Sequence, residues 1–303
     1  MLPHYKHPAE SISSQLTVTK RIFCRGFTLV ELMVVIVIIS ILGSLSLAGL
    51  NIGRQRSKID ATRATIRKLD EIVMDQFDSY STRLKGLKLA HLLAIRGTMV
   101  EEMPDNWANV LPLANCSTSS GRAYSKCKKT TANPVYQGAE CLYMIVTRSG
   151  FSPGALENFR ANEIGDIDRD GMKEFLDGWG NPIAFLRWAP GFSSPAPGFS
   201  GTQYSALQFD DFATNHDALD VGLNDEKAFQ MYPLIYSPGP DEAGNAGTTS
   251  SGYGLATATN GWPPESLPKI CEFSDGATKI GGPDPANPTA YRDNITNHDF
   301  LSR

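Results

Sequence analysis

The sequence predicts an α+β fold in which one long amino-terminal helix lies against an antiparallel sheet. Three observations carry that expectation. Residues 27–50 form an apolar run broken by a single acid, Glu31; the run continues without a proline into a heptad-spaced stripe; and beyond residue 80 short strand-like runs alternate with Gly/Pro-rich loops. The chain has 303 residues, 41% hydrophobic and 20% charged, which is a globular composition rather than a disordered one. That length suits one large domain or two small ones.

The first element is the apolar run. Nineteen residues from Leu32 to Leu50 carry no charge, about the ~20 that a helix needs to cross the hydrocarbon core of a bilayer. A secretory signal peptide fits less well, because its apolar core spans about 7–15 residues and ends at a small-residue cleavage site. Here the run is longer and passes directly into a second helical pattern.

That pattern is the second element. Ile52, Ile59, Ile66, Val73 and Tyr80 recur every seven residues, with Leu69 and Phe77 on or beside the same face, and Arg54, Arg56, Lys58, Arg63 and Arg67 flank the stripe. Residues 51–80 therefore read as an amphipathic continuation of the membrane-length helix 27–50. A helix over all of 27–80 would be roughly 80 Å long at 1.5 Å per residue. Its first half is suited to lipid or to other helices, and its second half to a globular domain packed along one side.

Glu31 needs an explanation of its own. An ionisable group inside an apolar span costs ~2.5–3.5 kcal/mol on insertion scales, so such a group is paired, functional or close enough to the surface to snorkel. A positive partner at the same depth could be a free amino terminus created just before Phe27. The stretch Gly26-Phe-Thr-Leu-Val-Glu31-Leu, following Lys20, Arg21 and Arg25, resembles the processing site of type IV pilins and of the pseudopilins of type II secretion systems. The resemblance implies a cleaved leader, residues 1–26, cut between Gly26 and Phe27 by a prepilin peptidase. It implies that Phe27 becomes the N-methylated first residue and that Glu31 pairs with the Phe27 amine of a neighbouring subunit as the filament assembles. It places the protein in the bacterial inner membrane with a single pass and the head in the periplasm or on an extracellular filament. Its implied partners are other copies of itself, other pseudopilins, the peptidase and the inner-membrane assembly platform. Ala48 stands where the family often has a proline, and Gly43, Gly49 and Gly53 are the nearby sources of looseness. The basic residues on both sides of the span leave the orientation open by charge alone.

Residues 81–303 read as a soluble α+β head. Strand-like runs occur at 141–147 (CLYMIVT), 182–188 (PIAFLRW) and 232–237 (YPLIYS). An antiparallel sheet on the amphipathic half of the helix would bury both apolar faces, a pilin-like arrangement. Two further stretches resemble major pseudopilins: Asp177-Gly-Trp-Gly-Asn-Pro-Ile before a strand, and Ser237-Pro-Gly-Pro-Asp-Glu-Ala-Gly-Asn245, which resembles their calcium loop but departs from it at Pro240 and Glu242.

The string from Asp166 to Asp177 (DIDRDGMKEFLD) carries the strongest chemical signal. Asp166, Asp168 and Asp170 at its first, third and fifth places and Gly171 at the sixth match a calcium loop of the EF-hand kind, with Asp177 in the twelfth place in lieu of Glu. Calcium is the cofactor this predicts. The alternative is an acidic turn between a helix ending near Glu163 and a strand, with Asp177 bonding backbone near Trp179. Cys116, Cys127, Cys141 and Cys271 lie beyond the span, and an even number in an oxidising compartment suggests two disulfides in one of three connectivities, with Cys116–Cys127 closing a short loop. A four-cysteine zinc site lacks the CxxC spacing.

Removing the four basic residues and one acid of residues 1–26 from the totals of 28 and 32 leaves 24 basic and 31 acidic. This acidic remainder gives no reason to expect nucleic acid. Gly150-Phe-Ser152-Pro-Gly154 matches the nucleophile elbow of hydrolases in letters only, because Pro153 has no N–H for an oxyanion hole; Ser152 capping a helix that starts at Pro153 is the better reading. The sequence thus predicts a non-enzymatic filament subunit of a type II secretion pseudopilus or type IV pilus-like filament, or a binding module at the tip of such a filament.

Overall fold

The structure is a computed structural model that describes residues 27–83, 89–132, 135–189, 192–194, 201–202, 232–240, 255, 282 and 290–300. Gly26, Cys271 and residues 241–245 lie outside the described residues. The chain divides into two units, Met1–Ile52 and Gly53–Arg303.

The first unit is described from Phe27 onward and consists of the start of α1, a 55-residue helix spanning Leu29–Arg83. Val30, Leu32, Ile36, Ile39, Leu42, Leu45 and Leu50 are all exposed, so the segment is apolar on every side. Its hydroxyls are turned inward. Ser40, Ser44 and Ser46 donate to the carbonyls of Ile36, Ile41 and Leu42 at 2.6–2.8 Å, which leaves little polarity on the surface. Length and composition suffice to cross a membrane.

In the second unit the heptad stripe is covered from Ile59 onward. Ile66, Leu69, Val73 and Tyr80 are buried, Ile59 and Phe77 are half-buried, and Ile52 is exposed. The helix runs three residues past Tyr80 to Arg83, whose guanidinium meets Glu102 at 2.9 Å. Glu102 ends α2 (Leu89–Glu102). Tyr80 donates to the same carboxylate at 2.8 Å, and Gln76 to the Glu102 carbonyl at 3.1 Å.

Two short helices follow. Thr118 caps α3 (Ser119–Cys127) by accepting from Gly121 N at 2.9 Å. Helix α4 spans Gln137–Arg148 and corrects the expected strand at 141–147. It packs against α3, β2 and β3, so Cys141, Leu142, Met144, Ile145 and Val146 are all buried. Burial on several sides erases the 3.6-residue alternation, and a short apolar run then reads equally as a strand.

The strands are short. β1 (Ile164–Gly165) and β2 (Glu174–Phe175) form an antiparallel hairpin. β3 (Ala184–Leu186) lies within the expected run at 182–188, β4 (Ser193–Ser194) pairs with β5 (Gly201–Thr202), and β6 (Leu234–Ser237) lies within the expected run at 232–237. With β7 (Ile295–Thr296) they make a three-stranded antiparallel sheet in the order β3-β6-β7. Phe185, Ile235 and Tyr236 carry this layer into one core with Phe175 of β2 and with Met99, Met103, Tyr124 and Leu142. The architecture is α+β, a long apolar helix with small antiparallel sheets.

Two smaller expectations change. Cys116, Cys127 and Cys141 are free thiols, so the Cys116–Cys127 bridge is absent, and Cys141 is fully buried on α4. The turn after α4 starts at Ala155, with Gly154 (φ 80°) at its amino end and no side-chain cap; Ser152 contributes its carbonyl to Ala155 N at 3.1 Å. Since α4 precedes it, Gly150–Gly154 also lacks the strand that a nucleophile elbow requires.

Candidate functional site

Three groupings carry the candidate chemistry. The first is the start of α1. Glu31 Oε2 accepts from Thr28 N at 2.9 Å and from Thr28 Oγ1 at 2.8 Å, while Glu31 N donates to Thr28 Oγ1 at 3.2 Å. This is a reciprocal capping box, Thr28-x-x-Glu31, which satisfies donors at the helix start that have no intrahelical partner. Its letters, Thr28 and Glu31 three residues apart, are plain in the sequence. Phe27 next to it is exposed.

The second grouping is the Asp177–Pro182 loop, which follows β2. Asp177 Oδ1 accepts from Trp179 N at 2.7 Å and Asn181 N at 2.9 Å, and Asp177 Oδ2 accepts from Ser237 Oγ at 2.7 Å. Ser237 Oγ also accepts from Gly239 N at 3.1 Å, and Asn181 Nδ2 donates to Gly239 O at 3.3 Å. The two stretches with a family resemblance are thus knotted together. Gly178 brings the loop onto α1: its N–H donates to Thr62 Oγ1 at 2.9 Å, and a Cβ there would fall 2.5 Å from Lys58 O. Trp179 Nε1 reaches Gln55 Oε1 at 3.0 Å. Burial outweighs these donors and holds the Asp177 carboxyl above the usual carboxylate range. Asp177 bonds the backbone at Trp179, as the acidic-turn alternative supposed, and both of its oxygens are engaged.

The third grouping is the β1–β2 connection, residues 166–173. Arg169 (φ 61°) and Gly171 (φ 91°) curl it through the left-handed region. Each acid holds the loop with one oxygen: Gly171 N donates to Asp166 Oδ2 at 3.1 Å, Asp170 N to Asp168 Oδ1 at 3.3 Å, Met172 N to Asp170 Oδ1 at 2.7 Å and Ile167 N to Glu174 Oε2 at 3.1 Å. The remaining oxygens Asp166 Oδ1, Asp168 Oδ2 and Glu174 Oε1 are buried without a hydrogen-bond partner, as are both oxygens of Glu140 from the first turn of α4. Glu140 and Glu174 are fully buried.

Carboxylate oxygens of Glu140, Asp168 and Glu174 lie within 4.8 Å of one another, and so do those of Asp166, Asp168 and Asp170. Burial first, and the neighbouring acids after it, push the Glu140 carboxyl up to about 10 and Glu174 up to about 8, and raise Asp168. The structure therefore brings Asp166, Asp168 and Asp170 together and leaves Asp177 elsewhere. Glu174 and Glu140 were the residues missed. Glu174 stands at the ninth loop place, a signal that the sequence did contain; Glu140 is distant in the chain and had none.

No curated protein and no solved structure matches the chain. Residues 23–47 match the family model described as the prokaryotic N-terminal methylation motif, a segment typical of type IV pilins and pseudopilins. That motif opens into an exposed apolar helix, so the amino-terminal segment of the chain is similar to that of type IV pilin and pseudopilin precursors.

Proposed function

We propose that the protein is a structural subunit of a type II secretion pseudopilus or type IV pilus-like filament. A prepilin peptidase removes residues 1–26, Phe27 is N-methylated, and the mature chain inserts into the inner membrane through residues 27–50 with its head in the periplasm or on the filament. Assembly brings Glu31 to the Phe27 amine of a neighbouring copy or of another pseudopilin at the assembly platform. The single observation that carries this reading is the methylation motif at residues 23–47, continued by a helix whose apolar side chains find no cover. An uncovered apolar helix is stable only in lipid or against other helices. The presence of Glu31 favours a repeating subunit.

Intact mass and amino-terminal sequencing of membrane-extracted protein test the reading. The expected product begins at methylated Phe27, and protein that accumulates uncut overturns it. Glu31→Gln is expected to insert and be cut normally yet to abolish sedimentable fibres; fibres at parental yield refute the role of the acid.

A further inference from the structure

The geometry points to a calcium site in the head, built on Asp166, Asp168 and Asp170 of the β1–β2 loop and closed from the buried side by Glu174 and Glu140. Asp166, Asp168 and Glu174 each use one oxygen on a backbone N–H and keep the second buried and unmet. Glu140 is the second, independent sign. It comes from a different element, is 0% exposed, and neither of its oxygens meets a donor, while its carboxylate sits within 4.8 Å of Asp168 and Glu174 oxygens. An unpaired buried carboxylate is among the costliest groups a fold can keep, so several converging on one point must either take up protons or gather around a cation.

The donors decide which cation. All are carboxylate oxygens, with no His or Cys among them, which disfavours zinc and the softer metals. They come from a loop, a strand end and a helix, at irregular reach. Calcium accepts 6–8 oxygens at about 2.3–2.6 Å in flexible geometry, whereas magnesium demands a near-ideal octahedron and keeps its waters. Thr131 Oγ1 donates to Asp170 O at 2.7 Å, so the segment before α4 already rests on the loop. A bound calcium ties α4 to the β1–β2 hairpin. It does so without Asp177, whose oxygens are occupied by Trp179, Asn181 and Ser237.

The test uses the full chain in detergent, stripped with EDTA and titrated with calcium chloride by calorimetry, with Tm followed in parallel. Expected are one calcium per chain, a Tm that climbs with calcium concentration, and a weaker response to magnesium. Glu140→Gln and Asp168→Asn each lower calcium affinity at least tenfold, while Asp60→Asn, an exposed acid on α1, leaves it unchanged. Without calcium, Glu140→Gln is at least as stable as the parent, which a purely structural acid would not allow. No heat and no Tm shift in millimolar calcium, variants that bind like the parent, or an equal response to magnesium each overturn the proposal. Should Glu140→Gln fail to fold, Asp168→Asn on the partly exposed loop decides alone.

Discussion

The loops at the two ends of β2 both set aspartate beside glycine, yet they behave in opposite ways. Residues 177–182 carry one acid, and every oxygen of its side chain is matched to a donor, one of them Ser237, sixty positions along the chain. Residues 166–173 carry three acids, and oxygens of Asp166 and Asp168 point into the protein unmatched, opposite two more acids from outside the loop. The supply of donors to each acid is what separates the two loops. A carboxylate surrounded by N–H and O–H groups is a strut, and one surrounded by other carboxylates is a receptacle.

The largest break in this comparison comes from the strut. Asp177→Ala leaves Trp179 N, Asn181 N and Ser237 Oγ without their acceptor and is expected to lower stability by about 4 kcal/mol, read as a loss in Tm of the full chain in detergent. A loss of under about 1 kcal/mol would show that water replaces the acid and that the knot between the two stretches is incidental.

A buried base gives the comparison a third member. His298 is fully buried, with Nε2 3.1 Å from Pro233 O and its ring edge-on to Phe192 at 5.3 Å. Burial lowers it to about 4. The folded chain holds it neutral, whereas the unfolded chain protonates it near its ordinary ~6.5. Its contribution is therefore intact above that value and is lost as pH falls from about 6.5 towards 4, by about 3 kcal/mol in all. Stability against pH measured on parent and His298→Gln checks this: the difference between the two should shrink over that window, and parallel curves would refute it.

The smallest effect is expected at the receptacle. Asp168→Ala in calcium-free buffer is expected to leave stability within about 0.5 kcal/mol of the parent or to raise it, because one of several crowded charges is removed. A loss comparable to that of Asp177→Ala would erase the contrast between the loops.

Sequence periodicity made α1 readable because one face is buried and the other is wet from Ile59 to Tyr80. The DxDxDG loop was readable because its spacing is local. The pocket as a whole was not, since Glu140 reaches Asp168 only through the packing of α4 on β2, and α4 itself was hidden by being covered on several sides. Arg187 is a similar case. The one charge in the apolar run 182–188, it is buried with its backbone N–H on Asp105 Oδ2 at 3.2 Å and Nη1 on Met103 O at 2.6 Å. Partners more than eighty residues away leave no local trace.

The capping box at the start of α1 bears on the time before any neighbour arrives. A lone chain already has one oxygen of its greasy-segment acid held by Thr28. In the proposed fibre, a neighbour's Phe27 amine would therefore meet an acid already held in place on its own helix.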